Sequence, residues 1–274
     1  MLVAVLTGHA SAPGLRLRGF PDSFNLLELS GQRWEDLELS DASLPSLRFF
    51  DSEIVNCRVD STRCQDWRLW NTTMAQSSFV DADLRESALA TWWEQKANTW
   101  RGVRFDRADM RGLPLEGALF EGCSFRGTRL EGTEFKQTEL RDCVFAGRLK
   151  DLRFDGRSFP DAPTPNPLVN VDFSAASFEF VEFDGCRFEG VSLPRGVFAI
   201  ERFPAVAGQV NAALAANDSL EAKSVGAMIE NAIRTPGPPD SVGVFNRADY
   251  VAFGGEALAD FAEALFHDAS GQSG

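Results

Sequence analysis

Every fifth residue from Phe24 to Leu89 is apolar. A period of five fits neither the period of about 3.6 of an α-helix nor that of about 2 of a β-strand, so the chain must turn a corner once per repeat. The pattern resumes one residue out of phase from Phe105 to Phe145, and it returns from Phe173 to Phe198. This repeat limits the chain to a narrow set of architectures.

The residue two positions before each central apolar residue is usually small or apolar, as at Ala82, Ala108 and Thr128. Two inward side chains spaced by two indicate a very short strand, and the other two residues of the repeat can turn the corner. Four corners close a square coil of about 20 residues whose backbone groups bond to the coils above and below, which are about 4.8 Å away. The interior is then filled by side chains, without a pore. The predicted stacks are Phe105, Phe125 and Phe145; Phe120 under Leu140; Leu115 under Phe135; and Phe178 under Phe198.

These residues resemble the pentapeptide-repeat family, whose consensus reads Ala, Asp or Asn, Leu or Phe, and then two variable positions. The segments that carry the resemblance are Ala82-Asp83-Leu84, Ala108-Asp109-Met110 and the run from Gly117 to Phe145. The resemblance implies an all-β fold, a right-handed quadrilateral parallel β-helix. The sequence after residue 198 predicts, in addition, a small and mostly α-helical C-terminal domain.

We expect three regions in the chain. Residues 1–23 form an N-terminal capping strand segment, in which Met1 to Leu6 is too short and lacks the basic leader of a signal peptide. Residues 24–198 form the β-helix of roughly eight coils, with loops at 90–104 and 147–171. Residues 199–274 form a mostly helical cap or dimerisation domain, because a solenoid exposes the edge of its last coil.

The formal charge of −13 argues against nucleic acid as a direct ligand, since phosphate binding requires a basic face. No stretch approaches the roughly 20 apolar residues of a membrane helix, so a cytoplasmic protein that does not enter a membrane is expected. The acidic residues of the repeat, among them Asp81, Asp83, Glu86, Asp106 and Asp109, fall on outward or corner positions. We interpret them as a solvated face.

Cys57, Cys123, Cys143 and Cys186 occupy the small inward position, and Cys64 is a central residue. Buried free thiols are expected rather than disulfides or a metal site, since stacked side chains point in parallel and the chain has only two histidines. The sequence shows no nucleophile elbow, phosphate-binding glycine loop or zinc spacing. We therefore predict no enzyme activity, no catalytic residue, no metal and no cofactor.

The loop at 90–104 contains Trp92, Trp93 and Trp100, the candidates for a partner-binding loop because tryptophan is enriched among binding hot spots. The alternative is that they cover a distorted coil. This alternative is favoured for Trp100, which reaches a core position if one residue is inserted. The second loop contains Pro160, and a partner-binding role is the less favoured interpretation of it.

In the C-terminal region, an amphipathic helix is predicted around Val206 and Val210, and a second is predicted with Asp218 as its cap. An apolar run from 242 to 245 follows. The last helix carries a stripe of apolar residues at helical spacing, which must be buried either in a cap or against a second copy of the chain. The stripe consists of Leu258, Phe261, Leu265 and Phe266.

Two functions from different classes agree with these features. The resemblance extends to the Qnr-type quinolone-resistance and antibiotic self-immunity branches of the family, which implies a dimeric DNA mimic that binds DNA gyrase and protects it. The alternative is a structural scaffold or an immunity-type module that binds another protein partner. The sequence does not choose between them, because one fold serves unrelated partners.

Overall fold

The computed structural model describes residues 27–92, 96–157, 167–233 and 237–271. The predicted N-terminal capping segment lies outside the described residues. Short parallel strands and isolated parallel β-bridges form the sides of the coils, and a helical cap follows them. The strands of the coils are β1 (Leu27–Ser30), β2 (Arg33–Glu35), β3 (Leu47–Phe50), β4 (Glu53–Val55), β5 (Arg68–Trp70), β6 (Thr73–Ala75), β7 (Thr99–Arg101), β8 (Pro114–Glu116), β9 (Leu119–Glu121), β10 (Ser124–Arg126), β11 (Glu134–Lys136), β12 (Glu139–Arg141), β13 (Val144–Asp155), β14 (Leu168–Val169), β15 (Asp172–Asp184) and β16 (Phe188–Glu189).

Successive coils pair in parallel, most often with residues 20 positions apart, as Phe49 with Leu69 and Phe125 with Phe145. The longest described sheet contains eight strands, β2, β4, β6, β7, β9, β12, β14 and β16, and forms one side of the square. This parallel pairing confirms the predicted β-helix.

The corners require a backbone conformation that most side chains avoid. Each corner residue has a positive φ, and the chain places mainly Asp, Asn and Gly there, as at Asp66, Asn71 and Gly122. These residues tolerate the left-handed region best. The repeat therefore combines a strand that buries two side chains with a corner residue that can bend.

Stacked aromatic rings fill the interior. The Phe125 ring lies 5.2 Å from that of Phe105 and 4.6 Å from that of Phe145, and both pairs are nearly parallel. Phe120 pairs with Leu140, and Leu115 pairs with Phe135, so these predicted stacks are confirmed.

The small inward residues have a second role, because they carry donors that reach the coil below. The hydroxyl of Thr128 donates to the carbonyl oxygen of Phe105 at 2.7 Å, and that of Thr62 donates to Leu39 at 2.8 Å. The indole of Trp67 does the same toward the Leu44 carbonyl at 2.5 Å. The backbone oxygens of these buried central residues are satisfied in this way.

The coil register changes at the two interruptions predicted from the sequence. Thr73 pairs with Thr99, a separation of 26 positions, and Leu140 pairs with Leu168, a separation of 28. The coils nevertheless resume with strand β7 at Thr99, and strand β13 extends to Asp155, inside the second predicted loop. Parts of both predicted loops, 90–104 and 147–171, therefore belong to strands of the coils.

The cap consists of β17 (Val197–Ile200), α1 (Phe203–Leu214), α2 (Leu220–Ile233), β18 (Gly243–Asn246) and α3 (Arg247–Ser270). Three helices around a small apolar core confirm the mostly helical C-terminal region. The predicted cap of the second helix is wrong by one residue: Ser219, and not Asp218, accepts the backbone N–H of Ala222.

The predicted stack of Phe178 under Phe198 is also wrong. β17 pairs antiparallel with β18, so Phe198 faces Phe245, with ring centroids 4.8 Å apart, and His267, at 4.6 Å. Phe178 instead accepts a hydrogen bond through its carbonyl from the side chain of Asn246. Strand β18 thus joins the last coil to the cap, and the pentad at 198 belongs to the cap.

The apolar stripe of α3 is used within one chain. Leu258 and Phe266 are buried in the cap core, and Phe261 and Leu265 pack against it at partial exposure. Helix α3 bends at Gly255, which has a positive φ, and Arg247 forms ion pairs across the bend with Glu256 and Glu263. The structure places the stripe in the cap, the first of the two burials that the sequence allowed.

Candidate interaction surface

The outer surface of the coils is dominated by ion pairs between neighbouring coils. Arg107 and Asp81 are 2.8 Å apart, and Arg101 and Glu121 are 3.1 Å apart. Lys136 is 2.8 Å from Glu116. Acidic and basic residues thus alternate along the coils instead of forming single-sign stripes.

Asp106 and Asp109 correct the expectation of a solvated acidic face, because both are buried below arginine side chains. Asp109 lies 2.9 Å from Arg111 and 3.1 Å from Arg129, and Arg85 is 3.5 Å away. Burial disfavours its charged form, but hydrogen bonds from Arg111 and the charges of Arg129 and Arg111 lower the pKa of Asp109 below its usual value. The carboxylate therefore acts as a structural anchor of these coils.

One side of the early coils has a different composition, and we call it the aromatic face. It consists of Arg48, Phe50, Arg68 and Trp70, which lie on the paired strands β3 and β5. The rings of Phe50 on β3 and Trp70 on β5 stack with centroids 4.4 Å apart and planes 4° from parallel, and both are partly exposed. Residues at this position point outward, because the neighbouring Phe49 and Leu69 point into the core.

Asp66, at an adjacent corner, fixes the two arginines of the aromatic face. Its carboxylate lies 2.8 Å from Arg48 and 2.9 Å from Arg68. Burial raises the cost of this charge, but hydrogen bonds from Arg48 and Ser46 and the charges of both arginines lower the pKa of Asp66. The guanidinium groups are therefore held at Asp66, on the same two strands that carry the aromatic rings.

The three predicted loop tryptophans have different positions. Trp92 is half-buried and packs against Gly117, where a Cβ would come within 3.0 Å of the Trp92 Cβ. Trp93 lies outside the described residues. Trp100 takes a core position above Met74, stacks on Phe120 at 5.7 Å, and is 1% exposed.

The burial of Trp100 corrects its assignment to a partner-binding loop. Its indole N–H donates to the carbonyl of Leu89 at 3.2 Å, so the polar group is satisfied inside the coil. The residues inserted before it bring Trp100 into register with the core. Trp100 is therefore a packing residue, and a partner cannot reach it.

The five cysteines are free and buried, as predicted. Burial raises the pKa of Cys57 to about 11 and raises the pKa of Cys64 well above its usual value. Thiolates are the reactive form of cysteine, so Cys57 and Cys64 remain unreactive thiols at neutral pH. They act as small packing residues.

Within the described ranges, no three His, Cys, Asp or Glu side chains come together as metal ligands would. In the same part of the chain, no helix combines the length and the apolar character that a membrane crossing requires. These findings concern the described residues alone.

The sequence analysis did not single out Phe50 and Trp70. Each directly follows a core residue, Phe49 or Leu69, so an apolar residue there looks like part of the core repeat. The available signal is positional. Both occupy the outward position after a central residue, which elsewhere holds Glu116, Arg126 or Lys136. Two aromatic residues 20 positions apart at that position predict a stacked pair on the surface.

The model of pentapeptide repeats matches residues 108–147 in eight copies. This segment of the chain consists of pentapeptide repeats. The coils on both sides of the matched segment continue its pairing, from β1 to β16, although their sequences follow the consensus loosely. No curated protein matches the chain.

Among solved structures, similarity extends to a pentapeptide repeat protein from the thylakoid lumen of Arabidopsis thaliana, with 19% identity, a TM-score of 0.30, and coverage of 41% of this chain and 68% of the other. A trypsin-treated QnrB1, a plasmid-mediated fluoroquinolone resistance protein, is 14% identical over 68% of this chain and 93% of its own, with a TM-score of 0.34. HetL, involved in heterocyst differentiation regulation in the cyanobacterium Nostoc, is 14% identical over 63% of this chain and 87% of its own, with a TM-score of 0.20. At these values the fold assignment rests on the coil geometry.

Proposed function

We propose that this protein is a non-enzymatic interaction protein that binds a protein partner through the aromatic face. The observation that carries the proposal is the outward stack of Phe50 and Trp70 on the same two strands as two arginines fixed by Asp66. Trp and Arg are enriched among the residues that dominate binding energy. Elsewhere on the coils, the outward positions hold ion pairs that contribute little net energy to binding.

The aromatic face is pre-organised for binding. Its residues lie on short strands of a filled solenoid, so a partner does not have to order a loop. The arginines are already paired on one side with Asp66, and Arg68 remains partly exposed. A partner surface with apolar side chains and an acidic group fits this composition.

DNA gyrase is the first partner to test, because the resemblance to Qnr-type proteins implies it. The net charge of −13 supports the DNA-mimic form of this proposal. The arginines interspersed among the carboxylates weigh against it, since they interrupt an acidic stripe. A homodimer would need a surface other than the α3 stripe, which is packed in the cap. The alternative is a scaffold or immunity-type module that binds another protein through the same face.

The test compares the intact chain with the double variant Phe50→Ala/Trp70→Ala in a gyrase supercoiling assay, with and without a gyrase poison. We expect the intact chain to change supercoiling or protect against the poison, and the double variant to lose the effect. Val80→Ala, at the equivalent outward position on another side, is the matched control and should keep it. Melting curves of all three proteins separate loss of binding from loss of fold.

If the intact chain leaves gyrase unaffected, gyrase is not the partner. Capture of binding proteins from a cell extract then tests the aromatic face itself. A protein that the intact chain and the Val80→Ala variant retain, and that the double variant loses, supports the face. Equal capture by all three proteins contradicts it and shows that Phe50 and Trp70 only stabilise adjacent coils.

A further inference from the structure

A cleft of about 930 Å³ separates the end of the last coil from the cap. Strand β15 forms one wall, and the helices α2 and α3 contribute the other. Its size falls within the range of about 300–1,000 Å³ that small-molecule sites occupy. This cleft is distinct from the aromatic face, which lies on the early coils.

Phe180 is the anomalous residue of this cleft. It stands at a corner position with φ of +54°, where the equivalent corners hold Asp66, Gly132 and Asp151. A bulky residue in this conformation is strained, and its ring is 45% exposed to solvent. Neither local conformation nor burial favours a phenylalanine here, and such outliers concentrate at functional sites.

The opposite wall carries a second exposed phenylalanine. Phe253 on α3 is 63% exposed and borders the cleft together with Tyr250, whose ring stacks on Phe245 at 4.8 Å. Two exposed aromatic side chains on facing walls give the cleft an apolar lining. Among the described residues, none fills the space between them.

The cleft wall also carries a carboxylate, that of Asp249. Asp249 accepts the backbone N–H of Phe180 at 3.0 Å, one turn before Phe253 on the same helix. Within the described residues, no Lys or Arg forms an ion pair with Asp249, unlike Asp184, which pairs with Arg153. Asp249 therefore presents a half-buried negative charge to the cleft.

We propose that this cleft binds an organic ammonium ion with an aromatic or aliphatic body, with the body against Phe180 and Phe253 and the cation beside Asp249. Aromatic faces attract such cations, and a charged acceptor strengthens the hydrogen bond from the ammonium group. The lining contains the carboxylates of Glu182, Asp184 and Asp249. Its two guanidinium groups, those of Arg153 and Arg157, are paired with Asp184 and Asp155, so the lining disfavours an anionic ligand. This site goes beyond partner binding by the aromatic face and does not depend on it.

The test uses three probes of one shape: 4-phenylbutylamine, 4-phenylbutanol and 4-phenylbutyrate. Each is titrated by calorimetry into the full chain. We expect the amine to bind about tenfold tighter than the alcohol, because a hydrogen bond to a charged group is the stronger one, and we expect the acid not to bind. Phe253→Ala should weaken the amine and the alcohol together.

Asp249→Asn tests the carboxylate, since the amide oxygen can still accept the Phe180 N–H. We expect this variant to bind the amine and the alcohol equally. Leu220→Ala removes an exposed apolar side chain outside the cleft and should change nothing. Binding of the acid as tightly as the amine, absence of amine binding to the folded chain, or amine affinity unchanged in both cleft variants would overturn the proposal.

Discussion

The coils and the cap of this protein follow different rules of construction. In the coils, a residue meets a residue of the same kind 20 positions away, as Phe125 meets Phe145. In the cap, Phe198 meets Phe245 and His267, which follow no period. Every coil thus buries its side chains and pairs its backbone in the same way, whereas the contacts of the cap core occur only once in the described chain.

This difference predicts that damage spreads differently in the two regions. Each coil contacts only its neighbours, so a defect in the middle removes support from both sides. The cap core lies at one end and shares few residues with the coils. The following predictions test this contrast, from the largest expected effect to the smallest.

Phe125→Asp should unfold the coils. The variant removes a ring stacked between two others, which costs about 3–5 kcal/mol for loss of the ring alone, and adds a charge without a partner in a filled core. The measurement is β-type circular dichroism during thermal unfolding. Phe125→Leu, which keeps an apolar side chain, is the control and should lower stability much less. Unchanged melting of the aspartate variant would show that the coil register is wrong.

Phe245→Ala should unfold the cap and leave the coils folded. Phe245 is buried, and its ring lies 4.8 Å from those of Phe198 and Tyr250 and 5.9 Å from that of Phe266. Loss of this ring costs about 3–5 kcal/mol, which is a large share of the stability of a small unit. Amide hydrogen exchange should accelerate from residue 199 onward.

The contrast depends on the central coils in the same exchange experiment. Protection around Phe125 should remain at its original level in the Phe245→Ala variant. Equal loss of protection in coils and cap would mean that the two regions unfold as one cooperative unit. The separate description of coils and cap would then fail.

The same contrast explains which features the sequence could predict. The position of Phe125 follows from the period alone, since every coil obeys it. The position of Trp100 required knowledge of how many residues the loop inserts, and Phe198 continues the period in sequence while its strand pairs with β18. Periodicity identifies residues that face inward but does not show where the solenoid ends.

The candidate sites were harder to predict for a related reason. Phe50 and Trp70 are visible only as exceptions at outward positions, once the inward positions are assigned. Phe180 is visible only as an exception among the corner residues. Asp249 comes close to Phe180 through a contact across 69 positions, which no local pattern encodes.

The smallest effects concern two carboxylates whose charges have opposite consequences. Arginines lower the pKa of Asp109, so its charge stabilises the coils above the usual Asp pKa of about 3.9, and this stability is lost as pH falls through the lowered value. Burial raises the pKa of Asp249, so its charge destabilises the cap at neutral pH, and protonation relieves this as pH falls through the raised value.

We therefore expect the two asparagine variants to change the free energy of unfolding in opposite directions. The measurement is unfolding by urea at a series of pH values from neutral to below about pH 4. Asp109→Asn should lower stability at neutral pH, because Arg111 and Arg129 lose their partner, and the difference from the intact chain should shrink below about pH 4. Asp249→Asn should keep or raise the stability of the cap at neutral pH, with a difference that disappears as Asp249 becomes protonated in the intact chain. The same sign for both variants would contradict the view that the coils use paired carboxylates while the cap cleft holds an unpaired one.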